Sequence, residues 1–480
     1  MSRRRMSETR SNSDAARQAT GVIDASCRVP LLALFAGATL WLLVAGVTAL
    51  LASMSFHKPD LFADDRWLSY GRMLPFSKAA LLYGFCLPAG YGLALWLAAR
   101  LGRNPLAAPA LGLLGALLWN LGVFIGVFGI LCGGGTGYEG MAMPKYAMFM
   151  VFGASLLLGF VGLLTVHQRQ DRQMYPSFWF IISAFFWFPW ILSTAIWLVD
   201  VTPVRGVAQA IIADWYLNNL QFVVLGLFGM GAALYFVPKL AGRGLYSANT
   251  ALFALFTLMV FGSWTGIPMG GPLPAWIGTL SSIAAVFAVV PAIAHFDNVR
   301  RSSGGAVPAA EAKFFSWSAA LLVLAALVAA VSAFVSQTQF TLIHPAQTTL
   351  LVQGFFVLIA LGGLYHVVPK VADLNWPAAG FVRLHFWLAA GGVLLMALPG
   401  LIGGWQQGAK LNQPDVAFLD VAKGALMPIR AASAGELLWA LGTVLLAVNV
   451  FGVILKRARA CWRPAVSEMT ATMTTAEVKA

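Results

Sequence analysis

Long apolar windows punctuate the chain at 30–54, 75–101, 108–131, 145–166, 177–200, 208–238, 248–268, 275–297, 314–337, 346–369, 380–404 and 431–456. Each is long enough to cross a hydrocarbon layer about 30 Å thick as a helix, which takes about 20 residues. Strands are excluded, because an open sheet in lipid would leave backbone N–H and C=O groups without partners. The pattern therefore predicts an all-α polytopic membrane protein of about twelve transmembrane helices. The sixth window is long enough to include an interfacial turn before its span. Residues 1–29 form a polar arm, 30–456 the membrane domain, and 457–480 a polar, mobile tail. The longest connections, 55–74 and 405–430, are too short for a separate soluble domain.

Composition agrees with this reading: 59% of residues are hydrophobic and 10% charged, with a mean hydropathy of +0.78. Ordinary soluble domains carry roughly 25% charged residues. The net charge of +13 belongs to membrane topology and not to nucleic-acid binding. Of the 31 Lys+Arg, 22 lie on the side shared by the two termini and nine on the other. The positive-inside rule then puts both termini in the cytoplasm of a bacterial-type inner membrane, with the lipid bilayer as first partner. Trp67, Trp215, Trp276 and Trp405 fall near span ends, as interfacial belts require.

Few motifs carry chemistry. Four scattered cysteines make no CxxC pair, and no two of the six histidines are spaced to ligate a metal from one helix. CGGGTGYEG at 132–140 lacks the GK[ST] ending of a phosphate loop and reads as a tight turn with positive φ at its glycines. Two Pro-Lys pairs, in LYFVPKLAGRGLYS (234–247) and LYHVVPKVADLNWP (364–377), read as helix ends with snorkelling lysines. The sharper signal is polar side chains inside spans, which are costly unless paired or facing a cavity. These are Lys78, Asn120, Asn218, Asn219, Gln221, Gln347, Gln353, Glu436 and Asn449. Asn218 and Gln221, three apart, share a helix face that Asn219 does not.

The order of four segments carries a resemblance. LSYGRMLPFSKAALLYGF (68–85), DWYLNNLQFVVLGLFGMGAALYFVPKLAGRGLYS (214–247), SWTGIPMGGPLPAWIGTL (263–280) and GGLYHVVPKVADLNWPAAGFVRLHFWLAAGGVLLMALPGLIGGWQQG (362–408) resemble subunit I of the heme-copper oxidases, closest to the cbb-type cytochrome c oxidases. The resemblance implies a bundle holding two hemes and a copper ion on six histidines, with oxygen reduced and protons moved. It places the low-spin heme ligand of the second span on Ser77 and the copper ligand of the sixth on Asn218. The His-His pair falls near Pro268 and Met269, the HxH of the tenth span on Gln347 and Thr349, and the cross-linked tyrosine on Gly262. All of these positions lack imidazole; His344, one turn outward from Gln347, is the one substitute heme-ligand candidate.

Serine, threonine and amides are poor donors for heme iron or copper. The expectation is therefore a ligand-deficient homologue with no catalytic residue and no bound heme or copper. Its role is that of a structural or electron-transfer-complex subunit beside c-type cytochrome or other respiratory partners. Two alternatives stand: a channel or carrier for a small solute, proton or anion, and an active oxidase or nitric oxide reductase with unorthodox ligands. Under the first, Ser77, Lys78, Asn218, Gln221, Gln347 and Gln353 line a polar interior with Lys78 as its fixed charge. The opposite expectation is collapse, with Trp264, Phe355 and Phe356 filling the heme space.

Overall fold

The computed structural model describes residues 2–62, 64–267, 273–305, 309–335 and 338–477, with side chains from 18 to 460. Among the described residues eleven helices are long and apolar enough to span a membrane, and a twelfth, Ala248–Gly262, is apolar but shorter. In chain order they are α1 (Ser2–Met54), α2 (Tyr70–Gly102), α3 (Pro109–Leu131), α4 (Lys145–His167), α5 (Pro176–Val201) and α6 (Val207–Ala241). Then follow α7 (Ala248–Gly262), α8 (Ala275–Ser303), α9 (Ala312–Ser332), α10 (Ile343–Ala372), α11 (Gly380–Leu411) and α12 (Phe418–Glu477). Every predicted window overlaps one of them.

The described helices form two classes. The most apolar windows of α2, α6 and α10 are 94%, 94% and 89% buried, whereas the other spans are 44–50% buried. Three helices thus stand inside a ring of others that present one face to lipid. Each inner helix breaks its α geometry midway with a π-helical turn, at Ala80–Cys86, Asn219–Val224 and Leu350–Val357. Such turns are rare and concentrate at functional sites. α6 runs through its π turn as one continuous span, so the expected interfacial turn before it is absent.

Two other expectations shift. The connection expected at 405–430 shortens to residues 412–417, because α11 continues to Leu411 and α12 starts at Phe418. Gln406, Gln407 and Lys410 are good helix formers, so the helix does not stop where hydropathy does. The tail expected to be mobile is backbone-helical to Glu477.

Close approach of α11 to α12 depends on missing side chains: a Cβ on Gly392 would lie 2.9 Å from the Gly435 carbonyl oxygen. Between α3 and α4, the glycine cluster takes the expected turn, with positive φ at Gly133, Gly137 and Gly140. It is tied to the inner helices, since Tyr83 of α2 donates to the Gly140 carbonyl and Tyr216 of α6 lies 2.6 Å from the Tyr83 hydroxyl.

Candidate functional site

A cavity of about 470 Å³ lies between α6, α8, α9 and α10, closed at one side by the turn after α7. From α6, Asp214, Asn218 and Gln221 point into it, at positions i, i+4 and i+7 on one face. Asn218 is fixed there, since its amide nitrogen donates to the Gly262 carbonyl at 3.1 Å and to Thr265 Oγ1 at 2.8 Å. Gly266, at φ +87°, lets the α7 turn pass this close, as a Cβ there would sit 2.5 Å from Asn218 Cβ. Asn219 points away, donating to the Trp215 and Ser263 carbonyls and accepting from Trp187 Nε1.

Gln221 is 7% exposed and its side chain makes no hydrogen bond to the described residues. Gln347 of α10 also faces the cavity without a partner among them. From α8 and α9 the lining includes Ala285, Ala288, Ala325 and Ala329, with Ser281, Ser282 and Ser332. His344 and Asp214 line the same space, close enough to interact electrostatically.

Other residues singled out in the sequence lie elsewhere. Lys78 is not an interior charge; it pairs with Glu139 at 2.8 Å, with both side chains about 40% exposed. The physical reason is its place in the N-terminal part of α2, where a half-exposed ammonium reaches the Glu139 carboxylate on the α3–α4 connection. Ser77 is buried but turns its hydroxyl back to the Leu74 carbonyl at 2.8 Å. Thr349 does the same with Pro345, at 3.0 Å, and Gln353 is half-buried outside the cavity lining. Trp264 is 47% exposed and fills no interior space, while Phe355 and Phe356 are fully buried. Pro268 and Met269 lie outside the described residues.

The histidines are dispersed. His57 bonds Ser433 and His385 bonds Tyr365, whereas His295 is buried with neither ring nitrogen partnered among the described residues. Among those residues no three His, Cys, Asp or Glu side chains converge as a metal site.

A second opening, of about 680 Å³, lies at the other end of α10 and is lined by Glu311, His366, Lys370, Asp373 and Trp376. Its lysine does not snorkel outward. Lys370 bonds His366 and lies 5.9 Å over the Trp96 ring, while Lys239 of the first Pro-Lys pair is exposed. His366 Nδ1 is 3.7 Å from Glu311 Oε1. That neighbour holds the Glu311 carboxyl below its ordinary range, against the opposing effect of burial. The i, i+4 spacing of His366 and Lys370 was the available signal for this cluster. Nothing in the sequence pointed to the π turns.

With this geometry in view, the family follows from comparison. Residues 29–438 match the family model described as Cytochrome C and Quinol oxidase polypeptide I. The chain belongs to that family, the subunit I of heme-copper oxidases. It is 25% identical over 378 residues to a cbb3-type cytochrome c oxidase subunit of Stutzerimonas stutzeri, covering 73% of this chain and 77% of that one. It is 24% identical over 459 residues to cytochrome c oxidase subunit 1 of Rhodobacter capsulatus, covering 87% and 84%. A solved heme-copper terminal oxidase dimer shares the fold, with a TM-score of 0.74 at 12% identity over 89% of this chain and 84% of that one.

Proposed function

We propose that this membrane protein is a ligand-deficient subunit I homologue, serving a bacterial respiratory complex as a structural or electron-transfer-complex subunit without reducing oxygen itself. The observation that carries the reading is the donor set of the cavity. The positions that the resemblance equates with the copper and heme ligands of α6 and α10 are Asn218, Gln347 and Thr349. The Asn218 amide nitrogen is committed to a carbonyl and a hydroxyl, and Thr349 is turned onto its own helix. Neutral amides compete poorly with imidazole for iron or copper. His344 is the one imidazole lining the space, and a copper centre of the family's kind needs more than one. These residues do not fit the heme and copper pair, and no catalytic step is assigned through it.

What the chain has is the scaffold: the inner three-helix core and the ring of helices around it. Partners in this reading are c-type cytochromes or other respiratory subunits. The charge bias supports insertion in the cytoplasmic membrane with both termini in the cytoplasm.

The test is a reduced-minus-oxidised spectrum and metal analysis of the purified protein, with the copurifying proteins identified. The chain is expected to copurify with c-type cytochromes and, once separated from them, to be colourless and free of copper. One heme per chain with a stoichiometric copper would overturn the reading.

A further inference from the structure

Buried amides without partners are uncommon in folded proteins, because each unmade hydrogen bond costs about 1–3 kcal/mol. Here two amides without a hydrogen-bond partner among the described residues face one cavity: Gln221, which is 7% exposed, and the half-buried Gln347. Both are uncharged. The ionisable groups lining the space, Asp214 and His344, interact with each other, so the unpaired groups left to meet a ligand are the neutral amides. The methyl groups of Ala285, Ala288, Ala325 and Ala329 line the same space, beside larger side chains such as Phe222 and Leu351.

The cavity, of about 470 Å³, mixes apolar side chains such as Phe222, Ile267 and Leu351 with hydroxyls and the two amides. Its volume falls within the range of about 300–1,000 Å³ common for small-molecule sites. From these observations we propose that the cavity binds a neutral, flat ring molecule bearing an amide- or carbonyl-type edge. The edge pairs with Gln221 and Gln347, and the ring face lies against the apolar side chains. A glutamine amide offers two donors and an acceptor, so a primary carboxamide on the ligand can pair with it in both directions. Asn218, whose nitrogen is engaged by Gly262 and Thr265, contributes its oxygen as a further acceptor. The proposal rests on the metal-free reading above, since a macrocycle would take up the same space.

Three probes of one shape separate the chemistries: benzamide, benzoate and toluene, each titrated into the detergent-purified full chain and read by saturation-transfer NMR. Benzamide is expected to bind saturably and at least tenfold more tightly than either of the others. Gln221→Leu and Gln347→Leu should each remove most of the preference over toluene, while Gln353→Leu, outside the cavity, should leave it unchanged. Gln221→Met, of matched length, stands in if the leucine variant does not fold. Equal binding of toluene, tighter binding of benzoate, or no saturable binding at all by a colourless preparation would each sink the ligand proposal and leave the metal-free reading intact. A Soret band at one heme per chain would sink both.

Discussion

At the scale of single residues, the tightest point is Asn218 against Gly266. Any side chain at 266 meets both a positive φ and the Asn218 side chain. Gly266→Ala is expected to destabilise the protein by about 1–3 kcal/mol, read as a lower thermal midpoint in detergent. Glu311 supplies a second test. Its carboxyl ionises more readily in the folded protein than in the unfolded chain, so it adds stability above the ordinary carboxylate value. That contribution is lost as the pH falls through the depressed folded value. In Glu311→Gln the loss of stability on acidification below about pH 5 should be smaller than in the parent, by about 1 kcal/mol. The sequence showed Asn218 and Gln221 as one helical face, because a period of 3.6 is enough for that. It misplaced Lys78, because its surroundings depend on how the α3–α4 connection carrying Glu139 folds back, and no local pattern records such a long-range contact.

Among the elements, helix existence was legible throughout, since twenty apolar residues leave few alternatives in lipid. Helix ends were less so: α11 and α12 run past the hydrophobic edge on residues that are polar but helix-forming. The π turns were invisible. They are a matter of one extra residue in a turn, and that residue is apolar like its neighbours. Deleting Leu220 from the π turn of α6 should restore α geometry and rotate Asp214 and Asn218 by about 100° relative to the segment below. A cysteine replacing Asn218 should react with a small water-soluble thiol reagent in the full-length chain and become unreactive in the deletion. Unchanged labelling would mean that the turn does not set the direction of the cavity residues.

For the whole molecule, the class and helix arrangement were readable from hydropathy and motif order, whereas the cavity was not. Its alanine lining reads in sequence as ordinary helix composition, and becomes a surface only when α8 and α9 are set side by side. Orientation is a property of the entire chain, summed over its loops. Reporters fused to the N-terminus and to the C-terminus should both register the cytoplasm, as the distribution of 22 against nine Lys+Arg requires. Opposite locations for the two would break the even count of spans.

The enclosure of α2 has a consequence for how the protein is made. The ribosome releases α2 well before α6 and α10 exist, so during synthesis its Tyr83 hydroxyl has no Tyr216 to meet. Its hydropathy of 1.5 is the lowest of the eleven spans. Until some 270 further residues have emerged, counted from the end of α2 to that of α10, this weakest inserter faces lipid on sides meant for protein. Chains cut short after α5 should therefore be cleared by quality-control proteases far faster than chains completed through α10.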